Sequence, residues 1–134
     1  MMIELAPEPV SLDDAFAGLT FLADRTPEMS DDDASAAFGV VSGYRNGAIF
    51  VAHYAGNSQW ERHRHGDEIV MVVEGSTCLV ALSDGVESRN EMTANEIFVV
   101  PKGVWHRFET PSSGVKVMSV TPQPTDHQID RPEG

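Results

Sequence analysis

Trp60-Glu61-Arg62-His63-Arg64-His65-Gly66-Asp67-Glu68-Ile69-Val70-Met71-Val72-Val73-Glu74-Gly75 sets two histidines one residue apart, then a carboxylate, then an apolar run closed by a glycine. Successive side chains of a strand point to opposite faces, so His63 and His65 leave one strand face together, with Glu68 just beyond. Imidazole nitrogens plus one carboxylate, with positions left open for water or substrate, form a partial metal shell suited to Fe, Mn, Ni, Cu or Zn as a divalent metal ion. If Glu68 points inward, Val70 and Val72 share its face. Ile69, Met71 and Val73 then pack outward, against another sheet or a partner subunit.

A second stretch, Asn95-Glu96-Ile97-Phe98-Val99-Val100-Pro101-Lys102-Gly103-Val104-Trp105-His106-Arg107, places a third histidine just after a Pro-x-Gly turn. There His106 and Phe108 share one strand face, and Trp105 and Arg107 the other. Together the two stretches resemble the motifs of the cupin superfamily. The first of these is Gly, five residues, His-x-His, three or four residues, Glu, six residues, Gly. The second is Gly, five residues, Pro-x-Gly, two residues, His, three residues, Asn. The spacings from Glu68 to Gly75 and from Pro101 through Gly103 to His106 match. Other positions depart: only two residues separate His65 from Glu68, and a three-residue gap puts the histidine positions on Arg62 and Arg64. Asn95 replaces a glycine, Thr110 stands at the asparagine position, and Gly56 is one place short of the leading glycine.

The resemblance implies an all-β double-stranded β-helix, a jelly-roll barrel, usually a homodimer, with His63, His65, Glu68 and His106 as the metal ligands. It also implies a small organic substrate and chemistry of the dioxygenase, isomerase or decarboxylase type. Two other readings stay open. One is a metal-free small-molecule binder or sensor, and the other a dimeric protein whose pocket has lost its chemistry, because a fold alone does not fix a function. No Gly-x-Ser-x-Gly elbow, Walker loop or paired-cysteine zinc motif offers a different chemistry.

Outward from these motifs, short β-branched and aromatic runs alternate with turn residues from about residue 38 onward, the pattern of a sandwich or barrel. Strands are expected at 38–43, 48–55, 69–74, 77–82, 87–92, 97–100, 105–109 and 115–120. Gly75-Ser76 reads as a hairpin turn, and so does the Asn46-Gly47 step. Residues 1–35 read as an acidic N-terminal arm, with a short helix capped by Ser11 that ends near Gly18. The barrel then occupies 36–121, and the proline-bearing tail 122–134 lies on the surface or frays. His127 in that tail reads as solvated, His53 as a hydrogen-bonded pocket or core histidine, and Cys78 as a buried thiol. Trp60, Phe98, Phe108 and Tyr54 are candidates for either pocket or core.

The chain has 134 residues, 41% hydrophobic and 22% charged, enough for one core without disulfides or a structural metal. Any metal is therefore expected to be functional. The net charge is −12, and residues 1–33 carry nine acids against Arg25 alone. Nine scattered basic residues form no stripe to neutralise phosphates, so neither nucleic acid nor an anionic membrane is an expected partner. No long apolar run and no basic, apolar N-terminus is present, and the expected compartment is cytoplasmic.

Overall fold

Nine strands run through residues 2–133, which are those the computed structural model describes. They are β1 (Leu22–Arg25), β2 (Phe38–Tyr44), β3 (Gly47–Asn57), β4 (Trp60–His63), β5 (Glu68–Ser83), β6 (Val86–Thr93), β7 (Ile97–Val100), β8 (Trp105–Pro122) and β9 (Thr125–Gln128). The long β8 organises the sheet, pairing antiparallel with β3, with β4 and with β5, while β5 also holds β6 and β7. The result is the all-β jelly-roll barrel expected from the motifs.

Period-two alternation sorts each strand into two faces. Ala52 and Tyr54 of β3, Val70, Val72, Leu79 and Ala81 of β5, and Phe108, Val115 and Val117 of β8 converge in the barrel core. Glu68 is buried on the same face of β5 as Val70 and Val72, while Ile69 is 37% exposed on the other. A smaller cluster joins Trp60, Cys78, Val80 and Leu82, with Trp105 packed against it. Cys78 is thus a buried thiol, and burial raises its pKa, which suits a packing role.

Gly75-Ser76 is not a hairpin turn. The two runs around it form the single strand β5, whose first half pairs with β8 at Val117–Val120 and whose second half pairs at Trp105–Glu109. Between Gly75 and Cys78 the register slips, and Gly75 takes φ +81° at the break. A glycine within a strand marks a bulge as readily as a turn, which is why the sequence reads both ways there. The tight hairpins lie elsewhere. Asp84 and Gly85, both at positive φ, join β5 to β6, and Arg45 carries the positive φ between β2 and β3.

Segments before and after the barrel motifs, β1 and β9, are also built into the sheet. Ser11 caps the helix α1 (Leu12–Ala17), its hydroxyl accepting from the Asp14 amide at 3.3 Å, and Gly18 closes it. Phe16 is buried, and β1 pairs in parallel with β3. A second short helix, α2 (Asp31–Ala34), follows and is capped by Ser30. At the other end β9 pairs with β4, setting Thr125 opposite His63 and His127 opposite Glu61. Thr125–Gln128 of the tail is therefore held in the sheet, while the tail still lies at the surface, with His127 to Arg131 exposed. Backbone pairing of a polar four-residue strand leaves no hydrophobic periodicity to read. No helix among the described residues is long and apolar enough to cross a membrane.

Candidate metal centre

Three strands deliver three buried ligand atoms to one place. His63 ends β4, Glu68 begins β5 and His106 lies near the start of β8, and one donor atom from each lies within 4.8 Å of the others. His106 Nε2 is 2.9 Å and His63 Nε2 is 3.3 Å from the same Glu68 oxygen, Oε1. None of these three atoms has a hydrogen-bond partner of acceptable geometry. Buried polar atoms are nearly always satisfied, so three orphans aimed at one another ask for a shared partner. Two ligands at right angles around a metal, each about 2.1 Å from it, stand about 3 Å apart, which the two short distances bracket. The donor set therefore fits a divalent ion.

The remaining atoms of the three side chains are each held. His106 Nδ1 lies 3.1 Å from the Val104 carbonyl, which places the ring proton on Nδ1 and leaves Nε2 as a lone pair for the site. His63 Nδ1 is 3.0 Å from the Thr125 hydroxyl of β9, and the Thr121 hydroxyl donates to Glu68 Oε2 at 2.6 Å. The turn at Pro101–Gly103 joins the two histidine strands, because the Gly103 amide donates to the His63 carbonyl at 2.9 Å. Burial alone would push the Glu68 carboxyl up, but His106 and His63 beside it outweigh burial and hold its pKa at about 2. Burial likewise opposes the charged form of His106, and Glu68 overcomes it, raising the His106 pKa.

Of the four residues expected as ligands, the fold brings His63, Glu68 and His106 together and leaves His65 outside. His65 sits exposed in the turn between β4 and β5, against residues of the β2–β3 hairpin loop. His53 also lies outside: alternation turns Ala52 and Tyr54 inward, and the His53 ring packs 4.6 Å from Phe21. Tyr54 and Phe108 line the cavity, while Trp60 belongs to the second cluster and Phe98 packs against the barrel core. Asn95 adopts φ +72°, the left-handed conformation that a glycine takes most readily and asparagine tolerates.

The centre opens onto a cavity of about 480 Å³ with an apolar floor that includes Val70, Phe108 and Val117. Sequence reasoning missed Glu61 in its wall. Counting four residues back from Glu68 rather than three would have put His63 and Glu61 on the paired histidine positions, and Glu61 does lie opposite His106 across β4 and β8. Its Oε2 is 3.3 Å from His127 Nε2. Burial favours the neutral acid, but His127 and then Arg25 hold Glu61 below its ordinary 4.5, while Glu61 raises His127 above its ordinary 6.5.

That pair sets a pH window for the docking of β9. The lowered Glu61 contributes stability above about pH 4.5 that is lost as pH falls through its folded pKa; the raised His127 contributes below about pH 6.5 and is lost as pH rises through its folded pKa. The melting-temperature gap between wild type and His127→Gln, measured in chelator, is expected to be widest between those values. With His127 partly exposed, the gap corresponds to less than about 1 kcal/mol. A gap that widens steadily above pH 7 would contradict the assignment.

The family model described as Cupin domain matches residues 49–121. Among solved structures, the chain is similar to a cupin-2 domain containing protein from Shewanella frigidimarina, with 26% identity and a TM-score of 0.55, covering 64% of this chain and 79% of that one. It is also similar to protein NMB1881 from Neisseria meningitidis, with 20% identity and a TM-score of 0.62, over 87% of this chain and 100% of that one. A third similarity is to an oxalate oxidase in complex with the substrate analogue glycolate, at 21% identity and a TM-score of 0.53. It covers 60% of this chain but only 45% of the oxidase, so the chain spans less than half of that protein. No curated protein matches the chain.

Proposed function

The chain belongs to the Cupin domain family, and from that premise we propose that it is a metal-dependent enzyme acting on a small organic molecule in its barrel cavity. His63, Glu68 and His106 hold one divalent ion. The observation that carries this reading is the set of three buried donor atoms without hydrogen-bond partners. Two histidines and one carboxylate, with the other positions open, are a donor set used by divalent iron and by neighbouring first-row metals. Such an ion supplies Lewis acidity toward a substrate oxygen and, if redox-active, one-electron chemistry.

The chain's own groups do the rest. Val104, Thr121 and Thr125 fix the orientation of the three ligands, which sharpens metal affinity as partners of ligands generally do. The apolar floor of Val70, Phe108 and Val117 packs against the apolar part of a bound substrate. The test is metal determination on protein purified without chelator and without a nickel column, followed by reloading with Fe, Mn, Ni, Cu or Zn. About one equivalent per chain is expected, and metal at 100 times its dissociation constant should add about 2.7 kcal/mol of stability. Absence of metal from every preparation, together with ligand-induced stabilisation of the metal-free protein, would leave a binder or sensor as the better reading.

The same protein is expected to be a homodimer. Ile69 of β5 pairs with Val99 of β7, and Met71 with Ile97, so the outward Ile69, Ile97 and Val99 form an apolar strip on adjacent strands, 37%, 62% and 51% exposed. Light scattering at tens of micromolar should return twice the chain mass, and a monomeric mass that persists there ends the idea.

A further inference from the structure

Five of the seven arginines, Arg62, Arg64, Arg89, Arg107 and Arg131, are paired with carboxylates, as befits a chain of net charge −12. Arg25 is not: among the described residues no carboxylate comes within ion-pair distance of it. Its half-buried side chain lines the same cavity as His63 and Glu68. The guanidinium carbon lies 4.6 Å from the ring centre of Tyr54 and 4.9 Å from that of Phe38, so two aromatic faces support it in the cavity wall. Its placement is built into the backbone. β1 reaches β3 by the pairing of Arg25 with Gly56, and a Cβ at Gly56 would fall 2.2 Å from the Arg25 carbonyl oxygen.

None of the other charges facing the cavity makes an ion pair with Arg25: Glu68 serves the histidines, Glu61 is paired with His127 and feels the Arg25 charge only from beyond ion-pair distance, and Asp31 lines the wall. A guanidinium with a planar fork of donors and no ion pair of its own matches a carboxylate or a phosphate, and the apolar floor of Val70, Phe108 and Val117 in the same cavity favours a carboxylate carried on an apolar body.

We propose that Arg25 binds the carboxylate of a small organic acid whose apolar body rests against the cavity floor, and that such acids are the substrate class of this barrel. The inference deepens the metal-enzyme reading and rests on it for where the chemistry occurs, but the anion contact belongs to Arg25 alone. The probes are benzoate and benzamide, which share shape and differ in charge. Dissociation constants would be measured for wild type, Arg25→Gln and Arg25→Lys, each with metal loaded and with metal removed, alongside metal content and melting temperature.

Wild type is expected to prefer benzoate over benzamide by at least about tenfold in both metal states, a charge-assisted contact worth about 1.4 kcal/mol or more. Arg25→Gln should bind the two equally and Arg25→Lys should fall between, with metal content unchanged in all three. The lysine variant keeps the measurement valid if loss of the ring contacts unfolds the glutamine variant. The proposal is overturned by equal binding of the probes to wild type, by benzoate binding weaker than about 20 mM, by a preference that survives in Arg25→Gln, or by one that exists only with metal loaded. Failure of the metal reading has a different signature: no metal in any protein, with the benzoate preference intact.

Discussion

His106→Ala is expected to lower metal affinity by more than about 100-fold and to abolish the thermal stabilisation that metal gives wild type. His106 is fully buried, its Nδ1 is committed to the Val104 carbonyl, and its Nε2 faces Glu68 Oε1 with no other partner. No neighbouring side chain can replace it. His63→Ala should behave alike, since His63 is 4% exposed and is held in the same way by Thr125. His65→Ala should leave metal content unchanged, because His65 projects into solvent from the β4–β5 turn. Thr121→Val removes the donor to Glu68 Oε2 while leaving all three ligands, and a loss of about 10- to 100-fold is expected there. The measurement is bound metal per chain after matched loading and desalting, with circular dichroism to confirm folding. Equal metal in wild type and His106→Ala sinks the assignment, and loss of metal in His65→Ala sinks the geometry on which it rests.

The contrast between His63 and His65 shows what the sequence carries and what it conceals. The Pro101–Gly103 turn fixes the register of His106, and the run from Glu68 to Val72 fixes the face of Glu68, because both depend on local backbone rules. The choice between His63 and His65 depends on how many residues the intervening turn absorbs, and a slip of one residue reverses a side chain's face. The fold spends Arg64 to Asp67 on that turn, so His63 is the last strand residue and His65 is carried outside. Thr121, Thr125 and Arg25 were beyond reach for another reason. Each meets the centre or its cavity through pairings between distant segments, β8 with β5, β9 with β4 and β1 with β3, and the short strands β1 and β9 show no hydrophobic alternation. A charge-rich arm with a lone arginine reads as solvated surface until β1 is seen inside the sheet.

Gly75→Ala is expected to destabilise the protein by about 3 kcal/mol or more, combining left-handed backbone strain with forced overpacking. Gly75 sits at φ +81°, where an L side chain is strained, and an ideal Cβ there would lie 2.3 Å from the Gly114 carbonyl oxygen. The obstacle is backbone on both sides, β5 against β8, so no rotamer change relieves it. Relief requires the two longest strands to separate at the point where their register slips, between Gly75 and Cys78. That break lies between the half of β5 bearing Glu68, Val70 and Val72 and the half bearing Leu79 and Ala81, so the candidate site and the barrel core share the cost. For a domain whose whole stability is about 5–15 kcal/mol, a loss of this size is plain in a urea melt. Gly85→Ala is the control. Gly85 has φ +75°, but a Cβ there would meet no atom within 4 Å, so only the conformational part of the cost, about 1 kcal/mol, should appear. Equal losses in the two variants would show that strain at positive φ accounts for everything and that the close approach of Gly75 to Gly114 contributes nothing.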